Sequence, residues 1–356
     1  LSEDLYDSGH GVLGQLRGGL AMATVAGCAA FAAISGTSVG TAATMGKVAL
    51  PEMKRYRYDD AIATGAIAAG GTIGILIPPS VIFIIYGIIS EQSIGKLYLA
   101  GFLPGILQAV LFMITIAILC WRNPGLGPPG PRTNFTQKLL SLGKSWTALV
   151  LFILVIGGIY AGLFSVNEAA GIGAFGVFVI GLVLRRLSWK GFIEALLDTA
   201  KTTAMILIII SGALIFGYFL TVTGTSKFIA TTMAGLAVSK WVVFAIVMVF
   251  YLILGCLMDS MSMILITVPI FYPLIQALGF DPIWFGVIVV IVVEMGLITP
   301  PVGMVVFVIK GITDVPMYTI FRGIVPFLIA DFVLLAILCF FPQIALFLPN
   351  TMMKFG

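Results

Sequence analysis

Gly70-Gly71-Thr72-Ile73-Gly74-Ile75-Leu76-Ile77-Pro78-Pro79-Ser80 breaks an apolar run that extends from about residue 61 to residue 90. A run of that length is long enough to cross a bilayer, which takes about 20 apolar residues. Its middle cannot stay helical. Proline lacks the backbone N–H and clashes with the preceding turn, and the glycines add no side-chain packing. Freed N–H and C=O groups are tolerated at membrane depth only where protein buries them or they line a polar cavity. The stretch therefore predicts a broken helix with a candidate site for an ion or small polar solute at the break.

The same pattern returns at Glu294-Met295-Gly296-Leu297-Ile298-Thr299-Pro300-Pro301-Val302-Gly303, inside an apolar run over about residues 283–309. Pro300 minus Pro78 gives an offset of 222. At that offset Gly74 meets Gly296, Pro79 meets Pro301, Gly101 meets Gly323 and Pro104 meets Pro326. Towards the N-terminus Asp59 meets Asp281, Pro51 meets Pro273 and Ser38 meets Ser260, with no gap. Shared breakers and turn residues at one register point to an internal duplication. Two Gly/Pro-interrupted segments at matching places in two halves are the strongest sequence pointer to a secondary transporter's binding site.

Composition agrees. The chain has 356 residues, 60% hydrophobic and 10% charged, with a mean hydropathy of +1.15. Soluble domains carry about 25% charged residues, so this is an all-α polytopic membrane protein in contact with the lipid bilayer. A net charge of +4 gives no reason to expect nucleic acid. Cys28, Cys120, Cys256 and Cys339 lie in apolar segments and read as small buried hydrophobes. With His10 as the sole histidine, no His-based metal site is available. No nucleophile–base pairing or phosphate loop suggests catalysis. The chain opens on a polar segment without an initiator Met, and reads as a fragment.

In order, the first repeat occupies residues 1–121: a hairpin over 18–50, the broken helix over 61–90, and a span over 98–121. The hairpin's small-residue arms flank a tip at Ser35–Gly40. Each arm is short for a full span, which favours a re-entrant hairpin over two thin spanning helices. Residues 122–144 form an extended Pro/Gly-rich loop on the cytoplasmic side. Residues 145–220 hold scaffold spans, with an amphipathic interfacial helix over 185–203 and a span over 204–220. The second repeat, 221–356, repeats the plan: hairpin 241–278 with its tip at Met258–Ser262, broken helix 283–309 and a final span 321–348. With the first hairpin opening to the cytoplasm and the second half inverted, fourteen basic residues fall inside, among them Arg17, Lys54, Arg55, Arg132, Lys138, Lys144 and Arg186. Only Lys96, Lys227, Lys240 and Lys354 then fall outside. That is the asymmetry the positive-inside rule requires, and it makes the halves inverted repeats.

Two hairpin tips and two breaks converging at the midplane would supply carbonyls, helix-end N–H groups and hydroxyls. Sodium favours hard oxygen ligands, and half-helix C-termini present carbonyls with a negative dipole. One cation site is expected from Ser35, Gly36, Ser38, Gly70 and Thr72; a second from Asp259, Ser260, Gly296 and Thr299. The simpler role for each hydroxyl is to cap a half-helix. A solute site is expected around Ser38, Gly74, Pro78, Pro79, Ser260, Pro300 and Pro301. Half-helix N-termini with no arginine nearby suit a carboxylate. Asp259 and Glu294 are read as the two acidic residues deep in the apolar second half, and intramembrane carboxylates are costly enough to suggest function. Asp259 would balance a cation; for Glu294 a structural and an ion-coupling role both stand.

At these motifs the chain resembles the large membrane subunit of tripartite ATP-independent periplasmic (TRAP) transporters, the DctM-like family. The residues that carry the resemblance are Leu16-Arg17-Gly18-Gly19-Leu20-Ala21, Ile34-Ser35-Gly36-Thr37-Ser38, Pro51-Glu52-Met53, Gly74 to Ser80, Ala100-Gly101-Phe102-Leu103-Pro104-Gly105, Asp259-Ser260, and Glu294 to Gly303. They span nearly the whole chain. Family members carry further spans before the position of Leu1, in keeping with a fragment. The resemblance implies a sodium-coupled importer with an elevator mechanism in the bacterial or archaeal inner membrane. It implies two partners, a small four-helix membrane subunit and a periplasmic substrate-binding protein, and an organic acid as solute. A stand-alone sodium/dicarboxylate carrier is the alternative, separated by whether uptake needs a binding protein. A channel would not accumulate solute against a gradient.

Overall fold

A computed structural model describes residues 2–130, 146–185, 187–225, 228, 232 and 238–352. Arg132, Lys138, Lys144, Arg186, Lys227 and Lys354 lie outside them, as does most of the Pro/Gly-rich loop. The described residues form helices and connecting turns, with no strand among them. They begin with α1 (Ser2–Leu13), α2 (Gly19–Ser35), α3 (Ser38–Arg55), α4 (Asp60–Thr72), a 3-10 turn (Ile73–Ile75), α5 (Val81–Ser90) and α6 (Ile94–Arg122). Then come α7 (Trp146–Tyr160), α8 (Val166–Val183) and α9 (Trp189–Val222). The last group is α10 (Lys240–Gly255), α11 (Ser260–Ala277), α12 (Pro282–Ile298), α13 (Met304–Ile312), α14 (Met317–Phe340) and α15 (Gln343–Met352). Among the described residues α6, α8, α9, α11 and α14 are long and apolar enough to cross a membrane.

Moved by 222 residues, the starts of α2, α3, α4, α5 and α6 fall within one residue of the starts of α10, α11, α12, α13 and α14. The local chemistry that sets those starts is shared. Asp59 caps α4, accepting from the N–H groups of Ala61 and Ile62 at 2.9 and 3.4 Å. Asp281 caps α12 in the same way, accepting from Ile283 and Trp284 at 2.8 and 2.9 Å. An N-cap carboxylate satisfies N–H groups that the helix itself leaves unpaired. Both Pro-Pro bonds, Pro78–Pro79 and Pro300–Pro301, are cis.

Packing follows the small residues. α4 is buried along nearly its whole length and crosses α14 closely. At the crossing a Cβ on Gly65 would strike the Gly323 backbone, and one on Gly323 would strike the Ala61 carbonyl. Such contacts need glycine, because two helix backbones approach within side-chain distance. α12 is buried from Ile283 to Ile298. It sits against α10, α6 and α14, with an aromatic group of Trp241, Phe244, Phe280 and Trp284 at one end. The outer residues of α7, α8 and α9 are apolar and exposed, as lipid-facing helices require.

Two expectations differ from the structure. One helix, α9, runs through both the expected interfacial segment and the expected span. Its 34 residues at about 1.5 Å each exceed a hydrocarbon core of about 30 Å. Lys190, Glu194, Asp198 and Lys201 decorate its N-terminal turns without breaking it, since Lys and Glu are good helix formers and no proline interrupts them. The final span ends at Phe340 rather than 348. Pro342 follows and its carbonyl receives the N–H groups of Ala345 and Leu346, so α15 is a new helix. The start of the Pro/Gly-rich loop is non-helical, as expected, and is tied to the first half. Leu126, Gly127 and Gly130 pair by backbone hydrogen bonds with Asp59, Gly18 and Gly14.

Candidate functional site at the hairpin tips and helix breaks

The first hairpin turns within two residues. α2 ends at Ser35, and Gly36 takes a left-handed φ of 64° while its N–H returns to the Ala32 carbonyl. A left-handed residue that ends a helix is usually glycine, since a Cβ there is strained. Around the turn the hydroxyls are tied together. Ser35 Oγ donates to the Thr37 carbonyl at 3.0 Å and lies 2.8 Å from Thr41 Oγ1. Thr41 Oγ1 donates to the Thr37 carbonyl at 2.8 Å.

This tip lies against the first break. The Gly36 carbonyl faces the Val81 N–H at 3.5 Å, and a Cβ on Gly36 would come within 2.8 Å of the Pro79 carbonyl oxygen. A Cβ on Gly74 would meet the Thr37 carbonyl and Thr41 Oγ1. Ser80 closes the break: its hydroxyl donates to the Ile75 carbonyl and accepts from the Phe83 N–H, starting α5. Ser35, Gly36, Gly74 and Pro79 are thus brought together, with Ser38 buried at the start of α3. Thr37 and Thr41 belong with them and are missing from the sequence-based set. Their signal was available, as hydroxyls on either side of Ser38. Gly70 stands back from the tip, packed on Cys28 and Val25 of α2, and Thr72 Oγ1 donates to the Ala69 carbonyl of its own helix. A hydroxyl that donates in this way still has lone pairs for a cation.

The second half is more open. α11 begins at Ser260, so Ser260 and Ser262 are its first turn rather than part of the tip. Asp259 caps that helix, accepting the Ser262 N–H at 3.0 Å. Gly296 faces Gly255 and Cys256 at the end of α10, a close backbone approach. Thr299 Oγ1 donates to the Met295 carbonyl and its N–H returns to the Gly296 carbonyl at 3.1 Å. Pro78 is buried, whereas Pro300 and Pro301 are exposed. The halves are interlocked, because α3 packs on α13 and α11 packs on α5, so each hairpin's second arm meets the other half's broken helix. A cavity of about 350 Å³ lies between Trp241, Phe244, Met248, Met295, Phe332 and Cys339, reaching α12 at Met295 beside Gly296.

Glu294 is fully buried four residues before Ile298, where α12 ends. It meets two polar residues that the sequence reading did not bring to it. Gln108 Nε2 on α6 donates to Glu294 Oε2 at 3.1 Å and to Asp331 Oδ1 on α14 at 2.9 Å. Asp331 is therefore a third acidic residue deep in the second half. It was legible as a carboxylate inside the final apolar run; its meeting with Glu294 was not.

Hydroxyls and freed backbone groups thus gather where the first helix breaks, as a site for an ion or small polar solute would need. Comparison with known proteins points the same way. The family model described as "Tripartite ATP-independent periplasmic transporter, DctM component" matches residues 1–344. The chain is 38% identical over 347 residues to a C4-dicarboxylate TRAP transporter large permease protein, DctM, of Pseudomonas aeruginosa, covering 97% of this chain and 81% of that protein. It is 30% identical over 357 residues to the sialic acid TRAP transporter large permease protein SiaM of Vibrio cholerae, covering 100% and 83%. It is 34% identical over 350 residues to the isethionate TRAP transporter permease protein DctMQ of Oleidesulfovibrio alaskensis, covering 98% and 55%.

Proposed function

This chain belongs to the DctM family of tripartite ATP-independent periplasmic transporters, and on that premise we propose that it is the large membrane subunit of a sodium-coupled importer of an organic acid. Its relatives are transporter permeases, and its apolar helices make it a multi-pass membrane protein. The relatives' names give C4-dicarboxylate, sialic acid and isethionate as solutes. A carboxylate is the solute that a core without arginine, lined by hydroxyls and half-helix N-termini, would suit.

The single observation that supports this reading is the docking of a hairpin tip into a Pro-Pro break, at Gly36 against Pro79 and Val81. Helices that start at matching places in the second half offer the same parts. In the proposed mechanism the halves are inverted repeats with re-entrant hairpins. Hairpins and breaks move as one elevator body against a scaffold that includes α7, α8 and α9. Sodium would take oxygens from Ser35, Gly36, Ser38 and Thr41 in the first half, and from Asp259, Ser260 and Thr299 in the second. A periplasmic binding protein would deliver the solute at the inner membrane, and a small four-helix membrane subunit would complete the complex.

Uptake of labelled organic acids into proteoliposomes tests this, using the chain with its small partner, a cognate binding protein and an inward sodium gradient. Uptake should need both the gradient and the binding protein. Uptake that needs sodium alone would move the chain to stand-alone carriers, and sodium-independent uptake would refute the cation sites.

A further inference from the structure

We propose that Gln108, Glu294 and Asp331 form a buried site for a hard monovalent cation, distinct from the hairpin tips and breaks. All three side chains are fully buried. Gln108 spends its amide nitrogen on one oxygen of each carboxylate, at 3.1 and 2.9 Å. Three oxygens then remain without a hydrogen-bond partner: Gln108 Oε1, Glu294 Oε1 and Asp331 Oδ2. Among the described residues no lysine, arginine or histidine pairs with the two carboxylates. Two ionised carboxylates held by one neutral amide are far too costly to bury, so charge balance requires that the pair keep one proton and that one positive charge offset the remaining carboxylate. The free amide oxygen, on a residue that carries no charge, is a ready ligand for that charge.

The site is separate by geometry. Glu294 and Gly296 lie two residues apart on α12, about 200° around a helix of 3.6 residues per turn. Gly296 faces Gly255 of the second hairpin, and Glu294 faces α6 and α14. One turn away, Phe112 on α6 and Phe327 on α14 meet edge to face with centroids 5.4 Å apart. Charged side chains on the helices packed against α12, such as Lys96, Arg122, Lys240, Lys310 and Arg322, stand near helix ends. The cluster also has no copy in the other half. At the offset of 222 its members correspond to Ala330, Thr72 and Ala109. Three free oxygens fall short of the six to eight that Ca²⁺ takes, and a carboxyl pair that keeps one proton carries a single negative charge, which a singly charged hard ion matches.

The test is thermal unfolding of the purified chain with its small partner in sodium, lithium, potassium, calcium or choline chloride at matched ionic strength. A cation that binds only the folded state raises its stability. In a S38A/D259N background, which removes ligands from both tip sites, an alkali-cation shift should persist. D331N added to that background should raise the half-saturating concentration at least tenfold, and E294Q/D331N should abolish the shift. A shift that E294Q/D331N leaves intact would overturn the proposal, as would one seen only with calcium or equally with choline. Infrared difference spectra of the unmutated protein keep the test open if the variants fail to fold. Cation addition should move ionised-carboxylate bands. One carboxyl should stay protonated beside the ionised one; two carboxyls that both remain protonated at saturating cation would overturn the site, because protons would then be its occupants.

Discussion

Gly36→Ala probes the contact between the first hairpin tip and the first break. Two costs add. Alanine at a φ of 64° carries left-handed strain of about 1–2 kcal/mol. Its Cβ would also stand 2.8 Å from the Pro79 carbonyl oxygen, a backbone atom that cannot rotate away. Overpacking of that kind costs about 1–3 kcal/mol, so the variant should lose about 2–5 kcal/mol if the tip stays docked. If the tip instead withdraws, less stability is lost and the break opens. Gly279→Ala is the control. Gly279 has a φ of 74°, in the turn between α11 and α12, and a Cβ there meets nothing within 4 Å. It should show the strain alone, about 1–2 kcal/mol, with uptake retained. The assay is thermal unfolding together with sodium-driven uptake in proteoliposomes. Gly36→Ala should abolish uptake at any sodium concentration, or raise the sodium needed by more than tenfold. Equal loss of stability in both variants, with uptake intact in both, would refute the idea that the tip is held against Pro79.

Asp259 separates capping from charge. Asn also caps helices, so D259N should match the parent in thermal unfolding while needing more sodium for uptake, and D259A should lose about 1 kcal/mol as well; unchanged sodium dependence in D259N would reduce Asp259 to a cap. D281A should destabilise by about 1 kcal/mol and D59A by less, since one of the two Asp59 bonds is long at 3.4 Å; chemical denaturation of the two variants checks the order. Tyr58, in the turn after α3, accepts the Leu20 N–H at 3.1 Å. Burial pushes its ionisation up from 10.0 to about 12, partly offset by the Leu20 bond. A raised value means that its contribution is complete below pH 10 and is lost as pH rises through 12. Tyr58→Phe should flatten that alkaline decline and cost about 1 kcal/mol at neutral pH for the unpaired N–H, read from melting curves across the window.

The sequence by itself determined the places where the chain breaks and restarts. Pro78–Pro79, Pro300–Pro301, Gly36, Asp59 and Asp281 act on their own backbone neighbours, through a missing N–H, a permitted φ or a capping carboxylate. Those effects reach only a few residues, so they can be read without knowing the fold, and the Pro-Pro pairs and capping aspartates recur at one offset. Continuity is harder to read. Charges within α9 suggested a boundary that no breaker enforces, whereas Pro342 ended a span that hydrophobicity alone carried onward. Tertiary structure decided which of the marked residues meet. Gly36 reaches Pro79, while Gly70 turns to Cys28 and Thr72 to its own helix, because α2 and α3 approach α4 along faces that periodicity does not identify. The starkest instance is Gln108, which touches residues 186 and 223 positions away. Each of the three partners is an isolated polar residue on an apolar helix. Only the packing of α6, α12 and α14 turns them into one cluster, and the low dielectric they share makes their unpaired oxygens consequential.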